Sequence, residues 1–277
     1  MIVTWSQGSA DECMSEDILT ELAHLIRRHP WWRARASLML ALLKRTGVRP
    51  PARVLDAGCG WGVNLDVLER HGYRVAGLDI SRQILERLDR PDRQLIEADL
   101  SQALPESTEQ YDAVVSLDVI EHVDEDHTVV SSLGKLAKPG GVILVSVPAL
   151  PSLYSEFDAI QGHRRRYLPE SLLKAFEPSA LQVEDILWWG SWMVPILRRR
   201  RSSGRSEERL SAADTYKRYL KLPPWPFSLA LRLAFAFDKI RTLHGNPSQG
   251  TSLFAVARRS PTPAHSSAKA TRASQSS

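Results

Sequence analysis

Val54-Leu55-Asp56-Ala57-Gly58-Cys59-Gly60-Trp61-Gly62 is the stretch on which the reading of this chain turns. Two apolar residues run into an acid, glycine then stands at every second position, and Leu65 and Leu68 follow on one helical face. That succession predicts a buried strand, a tight turn and the start of a helix. A turn without Cβ atoms lets a ligand approach the backbone and presents N–H groups to it. Asp56, closing the strand, favours a ligand that carries positive charge. A dinucleotide loop has the spacing G-x-G-x-x-G/A, whose third small residue lets helix and strand pack closely; here Val63 stands at that position.

Acids recur at strand ends downstream. Tyr73 to Asp79 is a second apolar run, closing on Asp79 21 residues beyond Gly58, where an acid can accept both hydroxyls of a ribose. Leu95 to Leu100 is a third strand, with Asp99 near its end and placed to meet a base edge. Tyr111 to Asp118 is a fourth, and Lys138-Pro139-Gly140-Gly141 turns into a fifth over Val142 to Val147. Leu181 to Ile186 alternates as a sixth, and Thr251 to Ala257 is a seventh. Strands alternating with helical patterns predict a parallel sheet covered on both faces. Ser81 and Asp124 are expected helix N-caps, and Pro169 a first-turn proline.

The motifs VLDAGCGWG, VAGLDIS, EADL and YDAVVSLDVIEHV, followed by KPGG, resemble in this order the class I S-adenosylmethionine (SAM)-dependent methyltransferases, over roughly residues 52–187 and again over 251–259. The resemblance implies an α/β fold: a Rossmann-like, doubly wound, seven-stranded sheet, mostly parallel with the last strand antiparallel. N-terminal helices precede it, and a helical insertion lies between strands six and seven. It also implies SAM as cofactor and S-adenosyl-L-homocysteine as product. Asp56 and the backbone of Gly58, Cys59, Gly60, Trp61 and Gly62 would hold the methionine portion. Asp79 would take the ribose hydroxyls with Ile80 beside the adenine, Asp99 the adenine amino group, Leu100 its ring edge, and Leu117 would offer a carbonyl.

Methyl transfer from a sulfonium is an in-line displacement, so the protein chiefly aligns donor and acceptor, excludes water and takes a proton. Two histidines are candidate bases. His122, in Asp118-Val119-Ile120-Glu121-His122, leaves the fourth strand at the cleft rim, and imidazole titrates near neutrality. His163 opens Gly162-His163-Arg164-Arg165-Arg166-Tyr167, in a connection that lines the acceptor pocket of the family it resembles. Arg165, Arg166 and Tyr167 are expected at the acceptor, where a guanidinium binds a carboxylate or phosphate at two points. An N-terminal element, His29-Pro30-Trp31-Trp32-Arg33-Ala34-Arg35, is similar to one in a subgroup of these enzymes; Trp32 and Arg35 would form a lid or pack the helices on the sheet. Two distant cysteines and no His-x-His spacing predict no zinc and no metal.

The expected organisation is a helical lid over 1–50, the cofactor core over 51–187, a helical cap over 188–249, a final strand over 250–259 and a disordered tail over 260–277. The run Ile186 to Leu197 is 12 residues and interrupted, too short for the roughly 20 a bilayer crossing needs. Residues 1–193 hold 20 Lys/Arg against 28 Asp/Glu, while 194–277 hold 16 against 4, so an acidic body carries a basic C-terminal third. An acidic core excludes an extended nucleic-acid footprint. Trp188, Trp189, Trp192 and Arg198 to Arg201 leave two readings open: a cap over the cleft, or a cap over 188–245 that also contacts an anionic membrane. The reading is thus of a cytoplasmic enzyme, soluble or peripheral to the inner membrane surface, acting on a small or lipid-linked acceptor through oxygen. A nicotinamide dehydrogenase and a non-catalytic SAM-binding scaffold are the alternatives.

Overall fold

A computed structural model describes residues 1–6, 25–105, 109–202, 214, 221, 227–245 and 247–261. Residues 7–24 of the expected N-terminal lid, Cys13 among them, most of 203–226 in the expected cap, and the tail from 262 lie outside the described residues.

The strands are β1 (Ile2–Thr4), β2 (Arg53–Ala57), β3 (Arg74–Asp79), β4 (Gln94–Glu97), β5 (Tyr111–Leu117), β6 (Ala137–Pro148), β7 (Leu181–Trp189) and β8 (Ser252–Arg259). The helices are α1 (Pro30–Arg45), α2 (Val63–Arg70), α3 (Arg82–Leu88), α4 (Asp126–Leu136), α5 (Glu156–Ile160), α6 (Pro169–Phe176), α7 (Met193–Ser202) and α8 (Phe227–His244). Among the described residues the sheet therefore has eight strands where seven were expected. The addition is β1, only three residues long, which pairs parallel with β4 at the sheet edge. Strand order is β1-β4-β3-β2-β5-β6-β8-β7, and β8 runs antiparallel between β6 and β7.

The central strands are near-continuous apolar runs because both their faces are covered. Leu55, Ala76, Val114, Ile143 and Ala255 pack on one side with Val130 and Leu133 of α4 and Leu172 and Phe176 of α6. Val54, Val115, Leu144 and Phe254 pack on the other with Leu38, Leu42 and Leu43 of α1, Leu68 of α2 and Phe235 of α8. Fully burying such side chains contributes roughly 1.5–3 kcal/mol each.

Helix ends follow local chemistry. Ser81 caps α3 by accepting from Ile84 N–H, and Pro169 opens α6, as expected. Asp124 does not cap α4. Glu125 occupies that position without a side-chain bond to the helix's N–H groups, and Asp124 is taken up by the Arg164 guanidinium at 2.8 Å. Trp188 and Trp189 belong to the end of β7 and not to the insertion, and Trp189 is fully buried. Helix α8 lies beside α1: Lys239 donates to Ser37 Oγ at 3.0 Å, and Thr242 to the Trp188 carbonyl at 2.9 Å.

Candidate active site

Strand order reverses between β2 and β5, which leaves a crevice outside the carboxyl ends of these parallel strands, where open α/β sheets bind ligands. Three acids converge on that edge: Asp56 in β2, Asp79 at the end of β3 and Asp118 just after β5.

The glycine turn between β2 and α2 is held from behind. Gly58 and Cys59 donate to the Leu78 carbonyl at 2.7 and 3.0 Å, and Gly60 N–H donates to Asp79 Oδ2 at 2.8 Å. The other Asp79 oxygen accepts from Ser81 N–H at 3.0 Å. Burial raises the Asp79 carboxyl above its ordinary range, with the Ser81 and Gly60 bonds opposing. Gly58 has φ +82°, and a Cβ there would lie 2.3 Å from Val119 Cγ2, so glycine is what lets the turn abut the segment after β5. Gly60 has φ +44°, and a Cβ there would meet nothing within 4 Å. It opens onto space.

Beneath this turn Asp56 is fully buried. Its Oδ1 accepts from Asn64 at 3.2 Å, and its Oδ2 has no partner. Burial pushes this carboxyl up to about 7, against the Asn64 bond and the field of Arg35. An orphaned buried carboxylate oxygen next to a Cβ-free turn fits a ligand that brings a positive charge. Ile80 and Trp61 are half-buried here, while Leu100 and Leu117 are buried. Asp99 sits one strand further out, its carboxylate accepting from Ser101 and Gln102.

The rim after β5 is built around Asp118, whose φ of +60° is unusual for a residue with a side chain. Its carboxylate accepts from Ser146 Oγ at 2.9 Å and pairs with Arg35. Arg35 does turn inward, 8% exposed, and also lies over the Trp31 ring at 4.7 Å. Trp32, Trp61 and Val63, with Phe157 and Ile160 of α5, pack around buried Ile26. The N-terminal segment, the glycine turn and α5 thus meet in one apolar wall. Arg27 reinforces it by donating to the Trp61 carbonyl at 3.1 Å.

The two candidate histidines come together. His122 and His163 pack edge to face, ring centroids 4.9 Å apart, and His163 Nε2 lies 3.8 Å from Glu121 Oε1. Asp158 Oδ1 sits 3.1 Å from His163 Nδ1, which fixes the ring and leaves Nε2 toward Glu121. Glu121 is fully buried with both oxygens unpartnered. Burial, then repulsion from Asp118, raises it well above the usual carboxylate range. The Glu121, His122 and His163 ligand atoms all lie within 4.8 Å of one another, so the three could hold a metal ion. Cysteine count and His-x-His spacing carried no sign of such a set.

The arginine run has partners within the protein. Arg164 pairs with Asp124, and Arg165 donates to the Val123 and Asp124 carbonyls. Arg166 pairs with buried Asp158 at 2.7 Å and donates to the Ala149 carbonyl. Burial alone would raise Asp158, but the His163 bond and Arg166 hold it below the ordinary carboxylate range. Tyr167 is 1% exposed and donates to Asp126 at 2.8 Å. Arg164, Arg165 and Tyr167 pin the loop before α6 to the start of α4, and Arg166 ties it to α5 and to the residue after β6.

A family described as a methyltransferase domain matches residues 31–196. The chain belongs to the class I methyltransferases. Among the relatives of this chain, a ubiquinone biosynthesis O-methyltransferase of Paracidovorax citrulli is 34% identical over 101 residues, covering 34% of this chain and 42% of the relative. One of Vibrio cholerae is 30% identical over 153 residues, covering 48% and 62%. A malonyl-[acyl-carrier protein] O-methyltransferase of Enterobacter lignolyticus is 33% identical over 140 residues, covering 48% and 55%. The chain spans about half the length of the curated relatives it matches. Its fold superposes on the [4+2]-cyclase SpnF with a TM-score of 0.57 at 18% identity, covering 95% of this chain and 98% of that chain.

Sequence reasoning missed Asn64, Asp158 and the site role of Asp118. Only Asp118 carried a signal, since it closes an apolar strand as Asp79 does.

Proposed function

We propose that this chain transfers a methyl group from SAM to an oxygen nucleophile of a small acceptor and releases S-adenosyl-L-homocysteine. The observation that carries the proposal is the open, Cβ-free turn at Gly60 above the unpartnered Asp56 oxygen. SAM supplies a methyl group already activated by its sulfonium charge. The turn's backbone and Asp56 hold the methionine portion, Asp79 takes the ribose hydroxyls, and Asp99 with Leu100 borders the adenine. Asp79 exchanges its contact with Gly60 N–H for ribose hydroxyls at little net change in hydrogen bonding.

Deprotonating the acceptor falls to the Glu121–His122–His163 cluster. With Asp158 on Nδ1, the basic atom of His163 is Nε2, and Asp158 stabilises the imidazolium that results. The apolar wall of Trp32, Trp61 and Phe157 excludes water from the exchange. Relatives whose names specify O-methyl transfer support an oxygen acceptor. An anionic acceptor at Arg166 would compete with buried Asp158, and one at the half-buried Arg165 with the 3.5 Å pairing to Asp126.

Calorimetry with SAM and with S-adenosyl-L-homocysteine tests the cofactor half, and absence of binding by folded protein sinks it. Release of S-adenosyl-L-homocysteine with a panel of phenols and carboxylic acids tests the acceptor half. Turnover restricted to amines would refute the oxygen assignment.

A further inference from the structure

Helix α8 has one face in the core and a second apolar face in the open. Phe235, Asp238 and Thr242 are buried, with Phe235 stacked on Trp189. Opposite them, Leu229, Leu233, Phe237 and Ile240 are 48%, 63%, 61% and 55% exposed. Their spacing sets all four in one stripe along the helix. A helix that merely covers a core puts charge on that side. Here Arg232 and Arg241, both exposed, border the stripe on its two sides. The helix's single acid, Asp238, is buried on the Ser191 hydroxyl and the Gly190 and Ser191 N–H groups. Arg198 and Arg199 of α7 are exposed as well.

The three tryptophans that first suggested a membrane point elsewhere: Trp189 is in the core, Trp188 packs against it half-buried, and Trp192 packs edge-on against Phe235. The apolar surface that needs a partner is on α8. A second copy of the chain would bring two arginine borders against each other. An apolar stripe edged by cations with no exposed acid on its helix matches a surface that is oily within and anionic at its rim. No helix among the described residues is long and apolar enough to cross a membrane, so α8 would lie in the interface plane.

We infer that α8 docks the protein on an anionic lipid bilayer, with Leu229, Leu233, Phe237 and Ile240 in the acyl boundary and Arg232 and Arg241 at the headgroups. Docking is read without cofactor or acceptor, so it stands or falls apart from methyl transfer. Flotation of the full chain with phosphatidylglycerol–phosphatidylcholine vesicles, against phosphatidylcholine alone, tests it. The protein floats with the anionic vesicles and much less with the neutral ones. Leu233→Asp with Phe237→Asp reduces the bound fraction by about tenfold or more while leaving the melting temperature in place, because both side chains are exposed. Should that variant unfold, Arg232→Gln with Arg241→Gln leaves the apolar stripe intact and lowers binding by about fivefold or more. No flotation with anionic vesicles, equal flotation with neutral ones, or binding that neither variant reduces would overturn the inference. So would light scattering that shows a dimer which Phe237→Asp dissociates, without vesicle binding.

Discussion

Asp56 and Asp79 lie on neighbouring strands at one sheet edge, yet their partners differ. Both Asp79 oxygens are satisfied by backbone N–H groups, whereas one Asp56 oxygen has nothing. With its pKa raised from 3.8 to about 7, Asp56 keeps in the folded state a proton that the unfolded chain releases. Folded protein therefore binds more protons between about pH 4 and 7, and this group's contribution to stability falls as pH rises through that window. A cation bound beside the carboxylate reverses the preference and expels the proton. SAM affinity should then rise by about tenfold between pH 6 and 8, with proton release seen by calorimetry in buffers of different ionisation heat. Asp56→Asn should flatten the slope; a slope unchanged by that substitution would remove Asp56 from the cofactor's charge balance. The glycines make a second test. Gly58→Ala forces a Cβ into Val119 and should lower stability by several kcal/mol, read by denaturant melts. Gly60→Ala has room and should cost only about 1 kcal/mol of backbone strain, while it weakens SAM binding by placing a methyl in the cleft.

At the level of elements, the loop between α5 and α6 turns on one buried acid. Asp158 holds His163, Arg166 and the start of α5 through Ser155 N–H. Asp158→Asn leaves Arg166 and its neighbours short of a counter-charge and should cost about 3–5 kcal/mol. Because the Asp158 carboxyl is held below its ordinary value, its stabilisation is present above about pH 4 and lost as pH falls below it. An acid-unfolding midpoint that does not move in the variant would contradict this. Helix α8 supplies a paired control: Phe235→Ala should cost about 3–5 kcal/mol, and Phe237→Ala, on the open face, within about 0.5. These elements were unequally legible in the sequence. Strands β2, β3 and β5 announce themselves as apolar runs closed by acids, since burial on both faces leaves no polar alternation. Strand β1 is too short to show a period, and its pairing with β4 is a tertiary fact. The arginine run was legible as charge but not as structure, because its partners Asp124, Asp126 and Asp158 are distant or unremarkable in sequence.

Across the whole molecule, parallel order explains why the meeting of Asp56, Asp79 and the glycine turn was legible and that of Glu121 with the two histidines only in part. Strands running the same way deliver their closing residues to one edge, so Asp56, Asp79 and the glycine turn converge without further information. Glu121 and His163 stand about 40 residues apart, and only the path of β6 and α5 brings them within reach. In the same architecture a nucleoside held by the segments after β2, β3 and β4 would tie together three neighbouring strands of one half of the sheet. A ligand at 100 times its dissociation constant stabilises the folded state by about 2.7 kcal/mol, and a domain of this size gains about 2–4 °C per kcal/mol. S-adenosyl-L-homocysteine in such excess should therefore raise the melting temperature by roughly 5–10 °C. Asp79→Ala, lacking the ribose contact, should melt with little response to the same concentration. Thermal scans of both proteins decide the matter: equal shifts would place the nucleoside away from β3, and no shift in the unaltered chain would leave the glycine turn without its ligand.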